Sequence, residues 1–180
     1  MEFSDVIKIR HSCRSFLNKQ IEPEIMDEIL DAGRIAPSAQ NRQPWRYMVV
    51  QDSVLIKKIA FHSIIGTANF FIKNAPIVII AYSDPKSSLR LNNQNYYLVD
   101  VAISFHQMML AAWNRGVGSC WLAAFDEPTI KSLLEIPDNF RIVGLSPFGY
   151  PKDKNIYARL VSFVAGSSKR KEKKELIILK

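Results

Sequence analysis

The sequence predicts a domain of mixed α and β structure, and three observations carry that reading. The segment from Gln94 to Arg115 is apolar around most of a helical cylinder. Two short apolar runs, "PIVIIAY" at 76–82 and "SCWLAAF" at 119–125, have the length and content of buried strands. Helical periodicity and strand-like runs alternate along the chain, with no repeat, low-complexity linker or break in composition between them. Residues 1–180 therefore read as one domain.

Taken in order, Ser4 and Asp5 can cap a short helix that ends near Cys13. Pro23 suits a first helical position, and Ile25, Met26, Ile29, Leu30 and Ala32 then recur at helical spacing. "RYMVVQ" is β-prone, and Asp52-Ser53 opens a helix expected to run through Ile64. In the long helix, Leu98, Ala102, Phe105, Met109 and Ala112 form one stripe, which Val99, Ile103, Leu110 and Trp113 widen. A helix of this kind is buried on several sides, as the centre of the domain or the seam of a dimer. Gly116 is its natural stop. "DEPTIKSLL" follows as a helix capped by Asp126 with Pro128 in its first turn, and "RIVGLSPFGYP" is a last strand and turn.

Composition excludes several classes. A hydrophobic share of 48% and a charged share of 23% are ordinary for a soluble globular protein. No apolar run reaches the roughly 18–20 residues that span a bilayer, and "MEFSDVIKIR" lacks the layout of a signal peptide. Two cysteines, Cys13 and Cys120, are too few for a disulfide framework or an iron–sulfur cluster, so the chain reads as cytoplasmic and reduced. His11, His62 and His106 lie far apart without metal spacing, and no GxSxG, Walker-type or GxGxxG motif occurs. Cys13 beside Arg14 has no visible oxyanion partner, so a nucleophilic role is a minor reading. The chain carries no self-sufficient acid–base machine, and hard chemistry here needs a cofactor.

The formal net charge is +7, much of it in "SSKRKEKKELIILK" at the C-terminus. A second basic group, "RHSCR", places Arg10, His11, Ser12 and Arg14 within five residues. Two guanidinium forks and a hydroxyl could clamp a phosphate, each charge-assisted bond contributing about 1.5–3 kcal/mol; an exposed basic turn explains the same residues equally well. "PSAQNRQP", residues 37–44, is a polar elbow with a proline at each end, set between a helix and a strand.

"RHSCRSF", "AGRIAPSAQNRQPWRYMVV", "RGVGSCWLAAF" and "GYP", in this order and spacing, resemble the nitroreductase family of flavin enzymes over nearly the whole chain. The resemblance implies an α+β fold, a central sheet flanked by helices, in which two chains swap terminal segments as a homodimer. It implies FMN bound between subunits: Arg10, His11, Ser12 and Arg14 on the phosphate, ribityl chain and pyrimidine edge, and Lys169 and Arg170 closing on the phosphate. Pro37, Ser38 and Asn41 would come from the other subunit, and the backbone of Leu122, Ala123 and Ala124 would face the flavin N5 side. One of Asn69, Lys73 and Asn74 would reach the flavin's carbonyl edge. Residues 152–180 would form an arm on the partner, with a helix-like insertion before the basic segment and Glu172 where the family carries a proline.

On that reading the elbow is a wall for a flat ring. Pro37 and Pro44 fix its ends, Ser38 and Ala39 leave room, and Asn41 and Gln43 supply donors and acceptors. Trp45 reads as a core or interface anchor. The implied activity passes a hydride from NAD(P)H to the flavin and then to a nitroaromatic, quinone or other electrophile, in ping-pong order. No residue stands out as a catalytic acid, and no metal is implied. A flavin-binding or flavin-consuming relative without reductase turnover is the nearest alternative. A basic nucleic-acid-binding module is the alternative from another class, disfavoured because the aromatics lie in apolar stretches rather than among the lysines.

Overall fold

The computed structural model describes residues 1–63, 69–152 and 170–179. Its elements run α1 (Phe3–Ile9), α2 (Pro23–Arg34), β1 (Trp45–Val50), α3 (Ser53–Phe61), β2 (Ile77–Ser83), β3 (Arg90–Leu91), β4 (Gln94–Asn95), α4 (Tyr96–Asn114), β5 (Gly118–Ser119), α5 (Glu127–Leu133) and β6 (Arg141–Gly149). A last helical turn spans Lys173–Leu176. Four strands form one antiparallel sheet in the order β1-β2-β6-β5, and β3 pairs with β4 in a small hairpin. The class is α+β, as the sequence predicts.

β2 explains the layering. Successive side chains of a strand point to opposite faces, and Ile77 to Ala81 are all fully buried. Ile77, Ile79 and Ala81 enter a cluster with Ile29 of α2 and Val101, Phe105 and Met108 of α4. Val78 and Ile80 enter the opposite cluster with Ile56 and Ile59 of α3 and Ile130 of α5. The sheet is therefore covered on both sides, and each such isoleucine stabilises the fold by about 1.5–3 kcal/mol relative to exposure.

Local chemistry sets the ends. The Asp52 carboxylate accepts the N–H groups of Val54 (2.9 Å) and Leu55 (2.8 Å), so α3 begins where expected. α4 ends in a Schellman motif: Gly116 N–H donates to Trp113 O (3.0 Å) and Val117 N–H to Ala112 O (2.8 Å), with Gly116 at φ +73°.

Four boundaries differ from the sequence reading. α1 spans Phe3–Ile9 behind Glu2, with no side-chain cap from Ser4 or Asp5. It stops short of Cys13 because Cys13 N–H donates to Ser119 O (2.9 Å), which draws 10–14 into extended backbone. α3 ends at Phe61 rather than Ile64. α4 starts at Tyr96, since Gln94 and Asn95 pair with Arg90 and Leu91. "SCWLAAF" is not a continuous strand: Ser119 pairs with Phe148, Cys120 N–H turns to the Ser146 hydroxyl (3.1 Å), and pairing resumes only at the Leu122–Leu145 bridge. The expected insertion after "GYP" and Lys169 lie outside the described residues.

Candidate functional site

The N-terminal basic cluster lies along the edge of β5. Ser12 bridges Ser119 in parallel register, and the missing side chain of Gly118 admits Cys13. A methyl group at Gly118 would stand 2.8 Å from both Cβ and Sγ of Cys13. The His11 ring lies 4.7 Å from the Trp113 ring, and its Nδ1 hydrogen-bonds Ile9 O at 3.1 Å. Burial pushes the Cys120 thiol up from its ordinary range, while Arg14, the Ser12 hydroxyl and Arg10 pull it the other way. Arg10, Ser12 and Arg14 thus converge on one corner beside Cys120. Cys13 is buried with its thiol on Ser15 O (3.3 Å), which suits packing rather than a nucleophile.

The segment Leu122–Ala124 follows that corner. Leu122 exchanges both backbone hydrogen bonds with Leu145, at 2.9 and 3.0 Å, so its amide is already engaged. Among the described residues, Ala123 and Ala124 donate no backbone bond. Asn69 is brought here: its side-chain N–H donates to Ala124 O at 3.2 Å. Of the three candidates in 69–74, Asn69 is the one tied to this segment. Lys73 stacks its ammonium 3.8 Å from the Phe70 ring centre.

The elbow has an unusual backbone. Gln40, Asn41 and Gln43 all have positive φ, at 54°, 54° and 47°. Left-handed conformations in residues other than glycine cost of order 1–3 kcal/mol each and persist only where surroundings fix them. Here the Ser38 hydroxyl accepts Gln43 N–H (2.9 Å), the Gln43 amide donates to Asn41 Oδ1 (3.0 Å), and the Asp100 carboxylate accepts Ala39 N–H (2.9 Å). Pro37 and Asn41 are exposed, and Ser38 is half-buried. Trp45 begins β1 half-buried against the α4 side of the core, an anchor as expected.

α4 holds the end of α2 from the same direction. The Gln107 amide donates to Ala32 O (2.9 Å), and the Ser104 hydroxyl donates to Gly33 O and hydrogen-bonds Tyr47. Burial pushes the Tyr47 phenol up to about 12, so it remains protonated. Asp100 is the residue that motif reading missed. Its signal was a lone carboxylate within an apolar helix, where burial requires hydrogen-bond partners.

Among the described residues, no contact joins the two groups within one chain. The elbow is tied to α4 at Asp100, and the basic corner touches it at Trp113. Thirteen residues of helix separate those points, about 20 Å at 1.5 Å per residue. Between them α4 leaves apolar side chains uncovered. With α1 it forms a groove of about 560 Å³ lined by Phe3, Val6, Ile103, His106 and Leu110. Burial, then the charge of Arg10, hold the His106 imidazole below its ordinary range. Arg170 is exposed, and the tail residues Leu176 to Leu179 are exposed and apolar.

The donor set fits FMN. Arg10, Arg14 and Ser12 would suit a phosphate and a polar ring edge, and the elbow, anchored elsewhere on α4, would offer a small polar wall. No group of His, Cys, Asp and Glu among the described residues could hold a metal.

Comparison with known proteins bears on the family. The model of the nitroreductase family matches residues 7–69 and 61–150. An Archaeoglobus fulgidus protein provisionally named NADH dehydrogenase/NAD(P)H nitroreductase is 33% identical over 153 residues, 83% of this chain and 85% of its own length. A crystal structure of a nitroreductase family protein from Clostridium novyi NT superposes with a TM-score of 0.82 at 38% identity, over 85% of this chain and 87% of that one. An FMN-dependent nitroreductase from Clostridium difficile R20291 superposes at 0.75 with 25% identity, over 83% and 88%.

Proposed function

The chain belongs to the nitroreductase family, and on that footing we propose an FMN-dependent oxidoreductase. It takes reducing equivalents from NAD(P)H and delivers them to a nitroaromatic, quinone or similar electrophilic acceptor. The observation that carries the reading is the division of one donor set between the two ends of α4. The basic corner and the elbow complement each other chemically yet are anchored to α4 at Trp113 and Asp100, about 20 Å apart along the helix. A second copy completes the site.

In this reading Arg10, Ser12 and Arg14, with His11 beside them, hold the phosphate, ribityl chain and pyrimidine edge, joined by Arg170 and by Lys169. The Leu122–Ala124 backbone lies under the ring, with the Ala123 and Ala124 amides as donors and Asn69 at the carbonyl edge. Pro37, Ser38 and Asn41 come from the second copy and exclude water from the other side. When bound, FMN supplies hydride acceptance from NAD(P)H and hydride delivery to the acceptor. Two or three charge-assisted bonds from the basic corner contribute about 3–9 kcal/mol, against the about 8 kcal/mol that micromolar binding needs.

The homodimer is supported by the uncovered apolar face of α4 and its groove with α1. The arm, residues 152–180, is proposed to pack on the partner. The outer edge of β1 pairs with no strand among the described residues, and the tail offers Leu176 to Leu179 uncovered. A cytoplasmic location is supported by buried cysteines without a disulfide among the described residues, and no described helix is long and apolar enough to cross a membrane.

The test is the visible spectrum of the purified protein, followed by anaerobic NADH or NADPH. A yellow protein that bleaches on addition and releases FMN on denaturation is expected. A protein that stays colourless after incubation with FMN refutes the cofactor. A yellow protein that neither reductant bleaches would be a flavin-binding relative rather than a reductase.

A further inference from the structure

We infer that Asp100 is the positioning residue of the elbow, setting through Ala39 the shape that Pro37, Ser38 and Asn41 present to a flavin. The inference rests on the FMN reading above. Asp100 is 2% exposed, in the middle of a helix face otherwise given to the core. One carboxylate oxygen accepts Ala39 N–H at 2.9 Å and the other accepts the Ser88 hydroxyl at 3.1 Å. Both carboxylate oxygens are therefore used on loops, and neither is used on the helix itself.

The geometry makes this more than a filled polar site. Asp100, Ser104 and Gln107 stand at i, i+4 and i+7, one stripe of α4. Ser104 and Gln107 hold the last turn of α2 through Gly33 O and Ala32 O. Asp100 alone of the three reaches past α2 into the elbow. Its bond falls on Ala39, immediately before the positive-φ pair Gln40 and Asn41. The strained pair is pinned at one end by Asp100 and at the other by the Ser38–Gln43 bond, and across the turn by Asn41 N–H on Ser38 O (3.0 Å) and Arg42 N–H on Ala39 O (3.2 Å). Removing the acceptor at Ala39 frees one end, and the pair relaxes toward ordinary backbone, which reorients Asn41. The hydroxyl of Ser88, itself buried, fixes the carboxylate's rotation.

The experiment uses full-length protein, titrated with FMN and followed by flavin fluorescence, with hydrogen exchange of the 37–44 peptide. Asp100→Leu keeps similar volume and removes both acceptors. FMN affinity is expected to fall about 10- to 50-fold, the scale of losing hydrogen bonds to a charged group, and the elbow amides should exchange faster. Asp100→Asn should restore affinity to within about threefold: its carbonyl can accept from Ala39 while its amide donates to Ser88. Ser88→Ala should lose only about two- to fivefold. Ile59→Val, a core substitution on the opposite face of the sheet, controls for general destabilisation and should leave affinity unchanged. If Asp100→Leu binds FMN as the wild type does, or loses no more than Ile59→Val, the inference is overturned. If Asp100→Asn is as defective as Asp100→Leu, the hydrogen-bond account is overturned as well. Wild-type protein that binds no FMN would sink the cofactor reading and this inference with it.

Discussion

A glutamate in place of Ile103 tests the two-copy site most directly. On α4, Val99 (48% exposed) and Ile103 (41%) stand one turn apart, and Ile103 shares a groove with Phe3 (68%) of α1. Fully burying such a side chain contributes about 1.5–3 kcal/mol, and roughly half of that remains to be gained at each. In a twofold dimer every contact counts twice, so these residues supply about 4–9 kcal/mol of gross association energy. Ile103→Glu removes about 1 kcal/mol at each of two symmetric positions. It also places two carboxylates in the seam, each costing several kcal/mol to desolvate without a partner. The loss matches or exceeds the gain, and association should weaken by at least three orders of magnitude, about 4 kcal/mol. In the single chain Ile103 is exposed, so the fold should survive, as surface changes usually fall within about 0.5 kcal/mol. Sedimentation velocity reads the mass and absorbance near the flavin band reads the cofactor. The expected result is a folded monomer without FMN. A variant that stays dimeric and fully loaded would refute both the interface and the division of the site.

Other outcomes follow from single residues. Arg10→Ala and Arg14→Ala should each lower FMN affinity about 10- to 100-fold and flatten its salt dependence, measured by titration at several ionic strengths. Gly116→Ala meets nothing within 4 Å but must adopt φ +73°; it should cost about 1 kcal/mol, some 2–4 °C of melting temperature, with FMN affinity unchanged. Burial pushes the Glu127 carboxyl up, but hydrogen bonds from Arg141 (2.9 Å) and Ile142 N–H (2.8 Å), with the charges of Arg141 and Lys131, bring it below the usual range. A depressed folded value means stability that is present above the unfolded value near 4.5 and lost as pH falls through the lower folded one. Glu127→Gln should therefore cost about 1–3 kcal/mol at neutral pH, a gap that closes below the folded value in melts across pH. A pH-independent gap would refute that linkage.

The parts of the fold that local chemistry decides were legible. Apolar content and length marked β2, the Asp52 and Asp126 caps marked α3 and α5, and Gly116 marked the end of α4. The errors lie where a distant partner overrides local preference. Ser119 takes the amide of Cys13 and ends α1 early, and the Ser146 hydroxyl takes the amide of Cys120 and breaks the strand that "SCWLAAF" suggests. For the candidate site, residue types and order pointed to the basic corner and the elbow. The partner of Asp100 and the choice of Asn69 were not legible, because each acts through a contact more than fifty residues away, with Ala39 and Ala124.

The same geometry explains why so short a chain would share its site between copies. α4 presents one side to the sheet, and its other side is apolar yet uncovered, with a half-site near each end. An isologous interface places the same patch on itself in reverse. A twofold axis through the exposed face, near Ile103 and His106, brings the residue-100 end of one helix against the residue-113 end of its mate. On the proposed reading, the elbow of each copy would then face the basic corner of the other, and both sites would complete in one event. In that arrangement the about 20 Å of helix between the two anchor points would be the spacing that closes two identical sites together. Binding FMN and associating are then one linked equilibrium, since a ligand that bridges two copies stabilises the pair by the free energy with which it binds. Dilution should release FMN, and added FMN should hold the dimer together at lower protein concentration.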